Sequence, residues 1–324
     1  MRRVGCGELV AMNPEKQCHI PVMVEEALRL LRIVPDGTYV DATAGAGGHS
    51  EQIARRLSGG RLISLDRDPA AVTLTRRRLA AYTGVTVVKA NYSEILEVLG
   101  GQGIQAVDGV LIDAGTSSLQ LDTAERGFSF QEDAALDMRM DPTTGIDAAT
   151  WLAEASFAEI KTVLRNYGDV GPAGRIAQKI AERCRENRMR RTSDLVAAIR
   201  EALAFVTSEP DEIRTSFMAI RIAVNEELNF LELGLRRAAQ ALAVGGRLVV
   251  ITFHSGEDRV AKQVFRELTR PRIQLYPDGR VREKIPPLLK LALPGPLAPA
   301  PEEVRVNLRA KSAKMRAVER ICLN

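Results

Sequence analysis

The sequence predicts an α/β fold: a Rossmann-like, mostly parallel sheet with helices on its faces, interrupted by a helical insertion. Two observations carry this. From residue 38 onward short apolar runs alternate with amphipathic stretches, a βαβα rhythm that calls for parallel strands joined by crossover helices. After about Leu121 the strand signal stops and helical periodicity takes over, until a strongly apolar run, RLVVITF, restores a strand.

In chain order, TYVDAT is the first strand and a helix follows from about Ser50. RLISLD is the second strand, and Asp68 before Pro69 marks the next helix start, an N-cap followed by proline at the first helical position. VTVVKA, SEILEVLG and VDGVLID continue the alternation. Ligands in this architecture bind beyond the carboxyl ends of the strands. From Asp147 to Phe205 helical periods recur, with caps expected at Asp147, Ser156 and Ser193. SFMAIRIAVNEELNFLELGLRRAAQAL reads as one long helical stretch that leads through Val244-Gly245-Gly246 into RLVVITF. RIQLY-PDG-RVREK reads as a hairpin, and the proline-rich PGPLAPAP connects it to a basic end. These assignments give a discontinuous sheet domain over residues 19–122 and 214–324, a helical insertion over 123–213, and an N-terminal extension over 1–18 in which Met12 is an alternative start to Met1.

With 324 residues, 45% hydrophobic and 27% charged, the chain has enough apolar material for a full core. No apolar run approaches the roughly 20 residues of a spanning helix, and no signal-peptide pattern opens the chain, so a cytoplasmic protein is expected. Cys6, Cys18, Cys184 and Cys322 are scattered, as are His19, His49 and His254, so neither a disulfide framework nor metal-ligand spacing is present and no metal is expected. A net charge of +4 permits a polyanionic partner without requiring one. The cations gather in three clusters: Arg76 to Arg78; Arg183, Arg185, Arg188, Arg190 and Arg191; and Arg305, Arg309, Lys311, Lys314, Arg316 and Arg320. For each cluster alone a solvated helix face is the preferred reading.

The loop after the first strand, Asp41-Ala42-Thr43-Ala44-Gly45-Ala46-Gly47-Gly48-His49, leads into a helix, where glycines let the backbone approach a ligand beside a helix N-terminus. Asp66 ends the second strand, where an acid holds ribose hydroxyls. Together they indicate a nucleotide-type ligand. S-Adenosylmethionine carries a sulfonium cation and no phosphate, so Asp41 and Asp113 favour it over a dinucleotide. Asp113 ends a buried strand and opens the small-residue loop Ala114-Gly115-Thr116-Ser117-Ser118. For Asp41 a turn acid or cap is an equal alternative. Tyr92 either covers an adenine or packs in the core.

At these residues the chain resembles the ribosomal RNA small subunit methyltransferase H family, which methylates N4 of a cytidine in the decoding region of 16S rRNA. The blocks run from about His19 to Arg320: HIPVMVEEAL, GAGGHS, LDRDP, LQLDTAERGFSF, LDMRMDP, RIAVNEEL, GGRLVVITFHS and RAKSAKMR. The resemblance implies a class I S-adenosylmethionine methyltransferase sheet, cofactor contacts from Gly47, Gly48, His49, Asp66, Tyr92, Asp113 and Gln120, with Asp41 and Gly45 shaping the loop, and 16S rRNA within the small ribosomal subunit as partner. A homodimer is compatible with the sequence. Ala114, Thr116 and Leu119 depart from the family pattern beside Asp113, as do Asp169 to Pro172, Met218, Gly256 and Leu308 elsewhere.

Cytosine N4 is a weak nucleophile because its lone pair is delocalised, so an acceptor for its hydrogens is needed. Asp113 is the candidate, with Ser117 and Ser118 shaping the pocket. The Asp/Asn/Ser-Pro-Pro-Tyr/Phe motif of DNA amino-methyltransferases is absent. Arg139, Arg188, Arg190, Arg191, His254, Lys311, Lys314 and Arg316 are candidate RNA contacts. For His254 a satisfied strand-end histidine is the plainer reading. Asp137, Arg139 and Asp141 form either an ion-pair set beneath the pocket or an RNA contact. The departures leave open another RNA position, a small-molecule acceptor, or a non-catalytic ribosome-assembly factor.

Overall fold

The structure, a computed structural model, describes residues 21–204 and 211–322. Phe205, Met12, Cys6, Cys18 and His19, all invoked above, lie outside the described residues. The first half builds α1 (Val24–Leu31), β1 (Thr38–Asp41), α2 (Gly48–Ala54), β2 (Arg61–Asp66), α3 (Pro69–Arg78), β3 (Val85–Lys89), α4 (Ile95–Gly101), β4 (Val107–Asp113) and α5 (Ser118–Asp122). A helical run follows: α6 (Ala148–Glu154), α7 (Phe157–Gly168), α8 (Ala173–Arg185), α9 (Thr192–Ala202), α10 (Glu212–Val224) and α11 (Glu227–Ala241). The sheet then resumes with β5 (Leu242–Thr252), α12 (Ser255–Leu268), a detached hairpin of β6 (Arg272–Leu275) and β7 (Val281–Ile285), β8 (Leu289–Leu291), α13 (Pro301–Val306) and β9 (Lys314–Arg320).

The main sheet has seven strands in the order β3-β2-β1-β4-β5-β9-β8. The first five are parallel, and β9 runs antiparallel between β5 and β8. Successive residues of a strand point to opposite faces, and the packing follows that alternation. Val110 and Ile112 join a core with α4, α11 and α12, whereas Leu111 joins the opposite core with α1 and α2. The apolar runs in the sequence thus mark strands buried on both faces.

The second helix start is as expected: Asp68 accepts from the Ala70 N–H at 3.0 Å with Pro69 in the first turn. Asp147 and Ser156 cap α6 and α7. Ser193 does not cap; it sits inside the first turn of α9, whose N-cap is Arg191. The long helical stretch also breaks in two. Glu226 adopts φ 48°, and Asn225 turns its side chain away from solvent to accept from the Met140 N–H and donate to Met138 O, both at 2.7 Å. Helical periodicity persists on either side of this break, so the apolar pattern carries no trace of it.

The helices between β4 and β5 have a core of their own, drawn from Leu136 to Ile220 and filled by Ile160, Leu164, Ile176, Ile180, Leu195, Ile199 and Phe217 among others. Asn225 ties the Met138–Met140 segment to the α10–α11 junction, so this helical unit is anchored where the chain re-enters the sheet. Among the described residues no helix is long and apolar enough to cross a membrane.

Candidate active site

The parallel register brings Asp41, Asp66 and Asp113 to one edge of the sheet, with Phe253 and His254 just beyond β5. A cavity of about 570 Å³ opens there. One side is the strand-end loops; the other is the helical unit, whose Phe130 and Phe217 pack edge-on at 5.5 Å.

Its floor is the glycine loop. Gly45 and Gly47 have φ of 54° and 81°, values that a side chain strains to adopt. The Gly45 N–H donates to Asp66 Oδ2 at 2.7 Å, and the Asp68 N–H donates to the other oxygen, Oδ1, at 2.8 Å. Asp41 accepts from Ser50 Oγ at 2.6 Å and from the Thr43 N–H at 3.2 Å, so it braces the loop from below. At Gly48 an added Cβ would stand 2.5 Å from Pro21 Cγ, which leaves no room for a side chain. His49 is buried with Nε2 3.0 Å from Val22 O and Nδ1 3.6 Å from Asp113 Oδ2. Burial holds its imidazole below the usual range.

Burial raises all three carboxyls. Asp66 is pushed up to about 6 by desolvation, against the two backbone N–H bonds it accepts. Asp41 rises for the same reason, partly offset by His49. Asp113 stands well above the usual carboxylate range through burial first, then the charges of Asp41 and Glu257. Its backbone N–H is satisfied by Thr43 Oγ1 at 2.6 Å, yet its Oδ1 is buried with no hydrogen-bond partner among the described residues. An orphaned buried carboxylate oxygen costs free energy unless a ligand satisfies it. A cationic ligand that also offers ribose hydroxyls fits this set, because it relieves the raised carboxyls and fills the open acceptor.

Gln120 and Tyr92 both line the cavity. Gln120 is buried and donates to Asp68 Oδ2 at 3.0 Å, beside Arg126 on the same oxygen at 2.8 Å. Tyr92 opens a short 3-10 turn and packs on Gly234, where a Cβ would come within 2.5 Å of its ring. Tyr92 is thus packed against α11 and also lines the cavity. Ser117 caps α5 through a reciprocal pair with Gln120, while Ser118 Oγ is buried without a partner among the described residues.

Other residues stand apart from the cavity wall. Arg139 is clamped on Asp137 by two bonds of 2.8 Å, whereas Asp141 pairs instead with Lys89 at 2.9 Å. In the second cluster Arg183 is buried on Glu201, while Arg185, Arg188, Arg190 and Arg191 are exposed, with Arg191 bound to Asp133 at 2.6 Å and Arg188 to Glu186 at 3.0 Å. Lys311 and Lys314 are exposed on the C-terminal segment, and Arg316 is half-buried on Asp258 at 2.8 Å. Arg309 and Ser312 of the same segment reach the cavity wall. Of the first cluster, Arg76 and Arg78 serve structure by bonding Val87 O and Glu51.

The matching family model spans residues 16–321 and is described as the MraW methylase family. The chain belongs to the MraW methylase family. Among relatives of this MraW-family chain, the ribosomal RNA small subunit methyltransferase H of Heliobacterium modesticaldum is 44% identical over 313 residues, 94% of this chain and 98% of the relative. The protein of that name from Nitrosococcus oceani is 42% identical over 311 residues, covering 95% and 98%. That from Methylococcus capsulatus is 44% identical over 301 residues, covering 92% and 99%. The match runs through both the sheet and the helical unit of the MraW-family chain.

Sequence reasoning missed a second charged group in the MraW-family site. Arg221 binds Glu227 through two bonds of 2.7 and 2.9 Å and reaches Thr116 Oγ1 at 3.3 Å. Glu257 accepts from the N–H groups of Phe253 and His254 at 2.7 and 3.3 Å, and His254 Nε2 lies 3.2 Å from Glu257 Oε1. His254 is thus the N-cap of α12, not simply the end of a strand. Ligand atoms of Glu227, His254 and Glu257 fall within 4.8 Å of one another, with the Arg221 guanidinium as counter-charge. Arg221 and Glu227 stand in the RIAVNEEL block and Glu257 three residues after His254, but no spacing rule joins segments about 30 residues apart.

Proposed function

We propose that the chain transfers a methyl group from S-adenosylmethionine to RNA of the small ribosomal subunit, the acceptor being the N4 amine of a cytidine in the decoding region of 16S rRNA, in the cytoplasm. The observation that carries this reading is the largely buried Asp113 carboxyl, whose Oδ1 has no hydrogen-bond partner among the described residues, on a cavity shared by the glycine loop and the helical unit. Family membership and the names of the relatives support the substrate class.

S-Adenosylmethionine, when bound, supplies an electrophilic methyl group on a sulfonium cation. Asp66 offers its remaining lone pairs to ribose hydroxyls while Gly45 and Asp68 fix its orientation. Gly48 and His49 would form the wall beside it with Gly47 shaping the turn, Tyr92 would cover the adenine, Gln120 would hold α5 in place, and Asp41 would add negative charge beneath. Asp113 accepts a hydrogen bond from the amine and takes its proton as the nitrogen lone pair is used. Residues 123–213 act as the substrate-recognition domain beside a catalytic domain of residues 19–122 and 214–324. A base in structured RNA must leave its stack to enter the cavity, and the exposed Arg188, Arg190, Arg191, Lys311 and Lys314 hold the flanking backbone, with Arg139 and Arg316 nearer the fold.

The test is incubation with methyl-labelled cofactor and isolated ribosomal subunits from a strain lacking the gene. Label confined to 16S rRNA is the expected result. Label in large-subunit RNA, or none, would refute the substrate assignment.

A further inference from the structure

Two of the sequence blocks quoted above, RIAVNEEL and VITFHS, lie about 30 residues apart and meet at one point of the cavity wall. There Arg221, Glu227, His254 and Glu257 are packed around the loop that follows Asp113. A Cβ at Gly115 would lie 3.6 Å from Glu257 Oε1 and 3.4 Å from the Phe253 ring, so this group is pressed directly against the Asp113 loop.

The hydrogen bonds of His254 fix which ring nitrogen carries the proton. Nδ1 accepts from the Glu257 N–H at 3.4 Å, which places the ring hydrogen on Nε2. Nε2 is buried, and although Glu257 Oε1 is 3.2 Å away it makes no hydrogen bond within the described residues. The other Glu257 oxygen, Oε2, is held by the N–H groups of Phe253 and His254, which fixes the orientation of the carboxylate. Both His254 and Glu257 line the cavity that Asp113 faces. Among the described residues the same cavity thus carries a buried donor and a buried acceptor that make no hydrogen bond, the complement of a ligand that offers an acceptor and an N–H donor.

We propose that His254 Nε2–H donates to the ring nitrogen adjacent to the amine-bearing carbon of the target base, while Asp113 accepts from the amine itself. This rests on the amine-methylation reading and gives it a selection rule. Cytosine satisfies both groups, with N3 next to its N4 amine. Uracil presents N3–H and a carbonyl at the same two places, so it sets donor against donor and acceptor against acceptor. Such a mismatch leaves buried polar groups unpaired, which is how sites reject close analogues. Arg221 and Glu227 act behind this pair as positioning residues, through Thr116 and the Asp113 loop.

The experiment uses His254→Asn, because asparagine is a good N-cap and keeps an acceptor for the Glu257 N–H while deleting the Nε2 donor. Small subunits are reconstituted around 16S rRNA carrying either cytidine or 3-deazacytidine at the position the unaltered enzyme methylates. With cytidine, His254→Asn is expected to lose about 10- to 100-fold in kcat/KM, with unchanged affinity for S-adenosylmethionine. With 3-deazacytidine, which has C–H in place of N3, the unaltered enzyme loses a similar factor and the gap between the two proteins closes. If the gap persists on 3-deazacytidine, His254 does not read that nitrogen and the proposal is overturned while amine methylation stands. If the unaltered enzyme methylates no cytidine in the subunit, the underlying reading falls and the selection rule falls with it.

Discussion

The backbone N–H of Gly45 donates to Asp66 Oδ2 at 2.7 Å, so the loop that follows β1 is pinned by the acid that ends β2. Because the Asp68 N–H takes the other oxygen, Asp66 holds two turns of backbone at once and presents its remaining lone pairs to the cavity.

Asp66→Asn therefore breaks more than a ligand contact. An amide offers one acceptor oxygen where the site has two N–H donors, so one buried N–H is left unpaired at a cost of about 1–3 kcal/mol. Lower thermal stability of the free protein is expected in calorimetry. In titration calorimetry the dissociation constant of S-adenosylmethionine should rise about 10-fold or more.

The raised carboxyls give the site a pH signature. The folded Asp66 titrates at about 6, above an unfolded value of about 3.9, so the folded state holds the extra proton between those limits. This contribution stabilises the ligand-free protein at low pH and is lost as pH rises through about 6. Asp41 and Asp113 are shifted in the same direction. Cofactor binding needs the carboxylates, so affinity should increase as pH rises through about 6, with proton release seen as a buffer-dependent binding enthalpy. An affinity flat from pH 5 to 7 would contradict this.

Asp113→Asn removes the acceptor for the amine proton but keeps the shape of the side chain. At saturating cofactor and RNA, kcat should fall by about 10²- to 10⁴-fold, the usual contribution of a positioned proton acceptor. Single-turnover kinetics read this directly, and full turnover would remove Asp113 from the chemistry.

Asn225 ties the helical unit to the sheet domain through Met138 and Met140. Asn225→Ala leaves a buried N–H and a buried carbonyl without partners, a loss of about 2–4 kcal/mol. Urea unfolding should show a lower midpoint, and a separate early transition for the helical unit would identify Asn225 as the clasp between the two cores.

Neutralising Arg188 and Arg190 to Gln, with Lys311 and Lys314, should weaken RNA binding and flatten its salt dependence, by roughly 0.7–0.9 in log–log slope per lost phosphate contact. Affinity for S-adenosylmethionine should not change. Arg191 is already paired with Asp133, so its loss should matter less to RNA binding than to the stability of the α9 start.

The parallel half of the fold was legible because strands buried on both faces leave unbroken apolar runs, and Asp68-Pro69 marks a helix start by local chemistry alone. The Asp41, Asp66 and Asp113 edge followed from strand ends. What the sequence hid depends on contacts between distant segments. The break at Asn225 is made by Met138 and Met140, about 85 residues earlier, and the Arg221–Glu227–His254–Glu257 group exists only because α10, α11 and the start of α12 converge on the Asp113 loop. Ser193 was misjudged as a cap because serine near a helix start is a good prior, while here Asp194 accepts from the Arg191 N–H and sets the start two residues earlier.

The most direct test of the central claim is nucleoside mapping after reaction of the purified protein and labelled S-adenosylmethionine with small ribosomal subunits from a strain lacking the gene. Nuclease digestion and mass spectrometry should place the label on N4-methylcytidine within the decoding region. Label on another nucleoside or region would contradict the target assignment, and tight cofactor binding with no label on the subunit would contradict the enzyme itself, leaving a ribosome-assembly factor that keeps the fold.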